Sequence, residues 1–415
     1  CYNKQKDEVK GGGIMQTYKK HYIKGRWVTA ASTDLIDVIN PATEEVIAKI
    51  SSGSQEDVNR AVQAAKEAFP SFANTTVKER IELLNRIIEE YKKRKNDFIQ
   101  TITKELGSPL TLSETSHYAM GLAHFQQAAK DLETFSFEER RGNAIIKKEA
   151  AGVCALITPW NFPTNQTATK IASALAAGCT VVLKPSELTP LSAIILTEVL
   201  HEAGVPEGVF NLVNGTGDLV GNSLTSHPDI DKVSFTGSKD TGTVISKNSA
   251  ETIKKISLEL GGKSPLIVLP DFDIELAAKI AVANVLFNCG QVCTLASRTL
   301  VPEDKLDDFI HFAKERLRKY PVGQPTEDSS RIGPVISENQ YERIQAYIQK
   351  GIDEGASLIA GGLGKPAGME KGYFVKPTIF ANVSNNMTIA QEEIFGPVMS
   401  IITYQTVDEA IEIAN

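Results

Sequence analysis

The chain has 415 residues, 42% of them hydrophobic and 23% charged, which is ordinary usage for a globular protein of two to three domains with ample core. A formal charge of −7 argues against nucleic acid or an anionic membrane surface as the main partner, and no run reaches the ~18 apolar residues of a membrane helix. Its five cysteines, at positions 1, 154, 179, 289 and 293, are scattered and odd in number. They do not read as a disulfide framework, so a reducing, cytoplasmic setting is expected.

In chain order, residues 1–14 are polar, lack the apolar core of a secretory signal and precede Met15, a natural start; they are expected to be a leader or disordered tail. A short extended entry, Ile36 to Pro41, leads to helices. Ser54 precedes apolar positions Val58, Ala61, Val62, Ala65 and Phe69 on one helical face, and Thr76 with Glu79 forms a capping-box pattern ahead of Ile81, Leu84, Ile88 and Tyr91. A longer helix is expected from about Ser113 to Arg140. After Gly142, Ala144-Ile145-Ile146-Lys147 reads as a strand leaving the compact body, either an oligomer arm at about 142–150 or a plain edge strand.

From Gly152 short apolar runs alternate with helical stretches: Val153 to Ile157, Val181 to Leu183, Val209 to Val213, Lys232 to Phe235 and Ile256 to Leu260. Strands buried on both faces lack polar alternation, so these five runs predict a Rossmann-like doubly wound parallel sheet. A second α/β unit starts near Ser264, with strands at Leu266–Leu269, Thr299–Val301, Thr378–Phe380 and Ser400–Tyr404 and helices at Ile274–Phe287 and Leu306–Leu317. The expected division is therefore 15–261 for a dinucleotide-binding domain and 262–415 for a catalytic domain. A cleft between two such units is a natural ligand site.

Chemistry concentrates in a few segments. Cys293, in Phe287-Asn288-Cys289-Gly290-Gln291-Val292-Cys293-Thr294, has Gly and polar neighbours between two apolar runs, where a cysteine can be a nucleophile or core filler. Gly237-Ser238 follows a strand and precedes a helix, so it is either a phosphate-binding turn or an ordinary serine N-cap, with Gly242 further on. Lys184 and Glu187 follow a strand end, where they are either ribose ligands or a solvated pair. Glu259 is the one carboxylate in an apolar, Gly-rich strand end. Desolvation there would raise its pKa toward that of a working base, the alternative being a buried structural glutamate. None of the six histidines falls in these segments, which disfavours a Cys-His protease, and no metal site is expected.

Taken in order, Thr158-Pro159-Trp160-Asn161-Phe162-Pro163, Leu183-Lys184-Pro185-Ser186-Glu187, Phe235-Thr236-Gly237-Ser238, Leu258-Glu259-Leu260-Gly261-Gly262-Lys263, the Cys293 segment and Glu392-Glu393-Ile394-Phe395-Gly396-Pro397 closely resemble the aldehyde dehydrogenase superfamily, from about Tyr22 to Asn415. The resemblance implies NAD-dependent oxidation of a small-molecule aldehyde to a carboxylic acid through a thiohemiacetal and thioester on Cys293. Asn161 would donate to the oxyanion, Glu259 would activate water and Lys170 would lie near the proton path. It further implies cofactor contacts from Thr158, Pro159, Trp160, Lys184, Ser186, Glu187, Gly237, Ser238, Gly242, Glu393 and Phe395. Glu187 favours NAD over NADP, since it would accept from the ribose 2′-hydroxyl and repel a 2′-phosphate.

Full-length members resembling this chain are expected to form homodimers or homotetramers. One chemical rival is an acylating enzyme that passes the acyl group to coenzyme A, against which Glu259 argues. Another is a catalytically impaired member of the fold. That reading comes from the chain's stopping inside an amphipathic helix, Asp408 to Asn415, short of the sheet and helix that complete the family's catalytic domain.

Overall fold

The computed structural model describes residues 5–8 and 14–415, which fall into two compact units. The first runs to Ile39 and continues through Val46–Glu105 and Ser113–Leu260; the second takes Asn40–Glu45, Leu106–Leu112 and Gly261–Asn415.

The first unit is built on a seven-stranded sheet in the order Lys255–Leu260, Lys232–Gly237, Val153–Ile157, Thr180–Lys184, Phe210–Leu212, Lys20–Ile23, Arg26–Thr29. Its first five strands are mutually parallel, with Leu183 opposite Leu156 and Phe235 opposite Ile157. Every residue of Val153–Ile157 and Thr180–Lys184 is buried, as central strands covered on both faces require. Cys154, in the first of these strands, and Cys179, just before the second, are both buried.

Two expectations need correction. The sheet has seven strands and not five, because the hairpin Lys20–Thr29 adds to it antiparallel through Tyr22 and Leu212. Its four-residue strands are too short to carry a readable period. The run ending in Leu260 is not buried on both faces: it is the edge strand, and Ile256 is 40% exposed.

The helices follow their sequence signals. Gln55–Ala73 starts from a capping box between Ser54 and Asp57, and Val77–Lys93 from one between Thr76 and Glu79, whose Oε2 accepts from the Thr76 N–H at 2.7 Å. Val58, Ala61, Val62 and Ala65 are buried on the first, Leu84, Ile88 and Tyr91 on the second. The long helix, by contrast, ends at Thr134. Glu138–Arg141 then pairs antiparallel with Ala144–Lys147, so the residues expected to end that helix form the first strand of a hairpin exposed along its length. Residues 5–8 also pair antiparallel with Ile14–Tyr18, in a sheet with Leu35–Asn40 and Glu45–Ser51. Part of the segment set aside as a leader is thus strand. The rest of that segment lies outside the described residues.

The second unit carries a five-stranded sheet in the order Pro265–Ile267, Arg298–Pro302, Val398–Tyr404, Thr378–Ala381, Ser357–Ala360, all parallel except the last. Helices Ile274–Leu286 and Leu306–Leu317 lie where apolar spacing places them, while Glu338–Asp353 and Ser357–Ala360 were not foreseen. Val398–Tyr404 is the central strand, paired on both sides and nearly all buried. The final helix Val407–Ala414 is tied back by Arg298, which donates to the carbonyls of Ile413 at 2.8 Å and Ala414 at 2.9 Å. Among the described residues no helix is long and apolar enough to cross a membrane.

Candidate active site

In the second unit the helix Ile274–Leu286 runs into a turn with three successive left-handed residues: Asn288 (φ 49°), Cys289 (φ 57°) and Gly290 (φ 74°). Non-glycine residues enter that region at about 1–2 kcal/mol each, so the neighbours must hold them. Gln291 does so from two ends. Its Nε2 donates to the Asn288 carbonyl at 3.2 Å and its Oε1 accepts from the Ile336 N–H at 3.0 Å. Cys289 is fully inside, its Sγ 3.2 Å from the Gly333 carbonyl, and burial pushes that thiol up to about 12. Cys293, just beyond the turn, is half-buried. The same short segment therefore locks one thiol into the core and presents the other.

Glycine is required at the third position of this turn, because a Cβ on Gly290 would lie 2.1 Å from the backbone carbon and oxygen of Gly396. Gly290→Ala is expected to destabilise the protein by about 3 kcal/mol or more, since two backbones would have to part. Denaturant unfolding measures this, and a change below about 1 kcal/mol would show that the turn is not so constrained.

The Gly396 segment carries the expected nicotinamide-side residues. Phe395 has φ 61°, unusual for a bulky side chain, and is held by Gln340, whose Nε2 donates to the carbonyls of Phe395 at 2.9 Å and Ile394 at 3.3 Å. Glu393 is anchored by its backbone carbonyl, which accepts from Arg343 at 2.9 Å, and its carboxylate accepts from the Gly262 N–H. That carboxylate occupies the space a Gly261 side chain would need, and burial raises its pKa. A small cleft is lined by Gly262, Gly290, Val292, Leu295, Glu393 and Phe395, so these last two residues share one surface with the segment leading to Cys293.

In the first unit, Asn161 is 6% exposed in the loop between strand Val153–Ile157 and helix Pro163–Ala176, with Pro159 and Trp160 half-buried beside it. Thr158 is buried and its N–H donates to the Lys184 carbonyl at 3.1 Å, which sets this loop against the next strand end. Lys170 is on the helix that follows. Its Nζ donates to Ser234 Oγ at 3.0 Å, and burial pushes its pKa down to about 8, opposed by the charge of Glu259. Lys170 and Glu259 are thus brought within electrostatic reach. The expected desolvation of Glu259 is not met: the residue is exposed, because its strand is the sheet edge.

At the neighbouring strand end the buried Lys184 ammonium bonds Glu187 Oε2 at 2.9 Å and the Pro185 carbonyl at 3.1 Å. Ser186 Oγ accepts from the Leu188 N–H at 3.3 Å and shapes that turn. Ser238 is the N-cap of helix Lys239–Ala250, its Oγ accepting from the Thr241 N–H at 3.2 Å. A Cβ at Gly237 would meet the Phe235 ring at 2.4 Å, and one at Gly242 the Leu260 side chain at 2.9 Å, so both glycines serve close packing. Among the described residues no group of three or more His, Cys, Asp or Glu is placed to hold a metal ion.

The aldehyde dehydrogenase family model matches residues 27–415. The chain belongs to the aldehyde dehydrogenase family. A Staphylococcus haemolyticus protein that bears the name aldehyde dehydrogenase is 56% identical over 401 residues, 97% of this chain and 84% of its own length. Among solved structures, a cysteine-to-alanine variant of aldehyde dehydrogenase C from Pseudomonas syringae, in complex with NAD+ and octanal, is 44% identical with a TM-score of 0.95, over 96% of this chain and 82% of that one. The NAD+ complex of a Bacillus cereus aldehyde dehydrogenase is 37% identical with a TM-score of 0.92, over 96% and 82%.

Sequence reasoning about this family member passed over Gln291 and Gln340. The glutamines act through amide bonds to distant backbone, which no local pattern announces.

Proposed function

We propose that this aldehyde dehydrogenase oxidises an aldehyde to a carboxylic acid with NAD as hydride acceptor, through a covalent adduct on Cys293. The observation that carries the reading is the contrast within one turn: Cys289 is buried against Gly333, while Cys293 is half-buried beside the segment lining the Glu393 and Phe395 cleft. The two solved aldehyde dehydrogenases in complex with NAD+ support the same reading.

The residues present fit NAD. Glu393 keeps a buried Oε1 with no bond partner among the described residues, suited to a ribose hydroxyl, and Glu187 offers a second carboxylate oriented by Lys184. NAD, when bound, supplies the hydride acceptor. The Cys293 thiolate attacks the aldehyde carbon, forming a C–S bond as the carbonyl electron pair moves onto oxygen. Asn161 and the Cys293 N–H donate to that oxygen, and removing one such donor typically lowers the rate about 10²- to 10³-fold. Reforming the carbonyl expels hydride and leaves a thioester. Glu259 takes a proton from water as it adds to the thioester; the C–S bond breaks, the acid departs and the thiolate is regenerated. Lys170 lies in reach of Glu259 and moves that proton onward. The exposed hairpin Glu138–Lys147 is the surface we assign to contact between subunits.

The test is NADH production from an aldehyde series with NAD and with NADP. Wild type is expected to prefer NAD, because Glu187 accepts from the 2′-hydroxyl and repels a phosphate there. Glu187→Ser should narrow the ratio of kcat/KM for the two cofactors by about tenfold or more. Equal ratios in wild type and variant would show that this glutamate does not face the ribose.

A further inference from the structure

Cys154 and Cys179 take no part in the chemistry assigned above. Cys154 lies in strand Val153–Ile157, Cys179 directly precedes strand Thr180–Lys184, and both are 3% exposed. In the parallel register Val181 stands opposite Cys154, so Cys179, two residues earlier, shares the sheet face of the Cys154 side chain. Both sulfurs converge on the backbone before the first strand. Cys154 Sγ lies 3.9 Å from the Gly152 carbonyl oxygen, Cys179 Sγ accepts from the Ala151 N–H at 3.3 Å, and the two thiols are hydrogen-bonded to each other. Ala151 is itself only half-buried, so the pair lies close beneath the surface.

The pair is asymmetric. Cys179 is the acceptor: the bond from Cys154, together with the Ala151 and Gly152 N–H groups and the Lys232 charge, holds its thiol below the ordinary value although burial opposes this. Cys154 is the donor, and that bond and burial push its thiol up. Arg80 adds a cation on the Cys179 side. Its Nη1 donates to the Ala176 carbonyl at 2.8 Å, its Nε is buried without a bond partner among the described residues, and its charge interacts with Cys179. A single cysteine in an apolar strand is inert packing. Here one thiol is set up to ionise and a second already touches it, the arrangement of an attacking and a resolving cysteine.

We propose that Cys154 and Cys179 are a reversible redox pair that hydrogen peroxide closes to a disulfide. The Cys179 sulfur, having given up its proton, attacks one peroxide oxygen; the O–O bond breaks, and the departing hydroxide takes up that proton and leaves as water. The Cys154 sulfur then attacks the sulfenic sulfur so formed, its proton goes to the leaving hydroxide, and a further water departs as the S–S bond closes. The sulfurs lose an electron pair and the peroxide gains it. So buried a pair admits a molecule of peroxide's size and excludes a bulky disulfide such as oxidised glutathione. The bridge ties together the starts of two central strands, around the segment that carries Asn161 and Lys170.

The experiment is peptide mapping of the intact chain, without reductant, after exposure to hydrogen peroxide, with Cys289 and Cys293 followed in the same digest. Loss of both free thiols and a peptide linking Cys154 to Cys179 are expected, the link disappearing on addition of dithiothreitol and failing to form with oxidised glutathione. The oxidised protein is expected to unfold at a higher urea midpoint than the reduced one, because a cross-link restricts the unfolded chain, and Cys179→Ala to show no such shift. Cys154→Ala, lacking the resolving thiol, should leave Cys179 as a sulfenic acid that dimedone labels, whereas Cys154 in Cys179→Ala should stay unlabelled. Both cysteines still reduced once Cys293 is fully oxidised would overturn the proposal, as would dimedone labelling of Cys154 in preference to Cys179. The wild-type map decides the matter even where a variant does not fold.

Discussion

Cys293→Ala is expected to abolish aldehyde oxidation, by about 10⁴-fold or more, while NADH still binds. The reason is a division of labour. In the proposed mechanism Cys293 forms and breaks the C–S bond, whereas the residues assigned to the cofactor, Lys184, Glu187, Glu393 and Phe395, are held by bonds that do not involve its sulfur. A companion measurement separates the two neighbouring cysteines. Alkylation followed by peptide mapping should modify Cys293 well before Cys289, because the Cys289 thiol donates to the Gly333 carbonyl and burial pushes its pKa up to about 12. Retained turnover in the alanine variant, or faster labelling of Cys289, would remove Cys293 from the mechanism.

Glu259→Gln should show one rapid turnover of NADH per active site and then stall, with steady turnover down by about 10²- to 10⁴-fold. An amide cannot accept the proton of the attacking water, so the thioester persists after hydride has gone. Glu259 is exposed at the end of an edge strand, so the proposed role as a base would rest on its position and on Lys170 nearby. Rapid-quench analysis of the acyl-enzyme would show the accumulated thioester directly. Normal steady turnover by the variant would assign hydrolysis to another group. Restoration of turnover by added coenzyme A alone would point to an acyl-transfer enzyme.

Much of the architecture was legible locally. Ser54 and Thr76 announced helix starts because a side-chain oxygen can satisfy the free N–H groups of a first turn, and both capping boxes are formed. The central strands announced themselves by unbroken apolar runs, since a strand covered on both faces has no side to leave polar. Cys293 stood out for a similar reason, a thiol among glycine and polar neighbours in a segment otherwise bounded by core.

Other features were out of local reach. Glu138–Arg141 has the composition of a helix end and becomes a strand because Ala144–Lys147 folds back on it. The run Ile256–Leu260 looks like any buried strand, but sheet order puts it at the edge and leaves Glu259 in water. Ser400–Tyr404 was legible as a strand, but only the parallel crossovers place it centrally, between Arg298–Pro302 and Thr378–Ala381.

The sequence by itself determined the family and the two α/β units, because ordered motifs, caps and apolar runs are written in neighbouring side chains. Only the tertiary structure decided which thiol is locked and which presented, and that Glu259 is exposed. Burial, sheet position and the partner of a buried charge are set by segments far apart in the chain. Gly290 packs on Gly396, Cys289 on Gly333 and Glu393 on Gly261, pairings that no local pattern encodes.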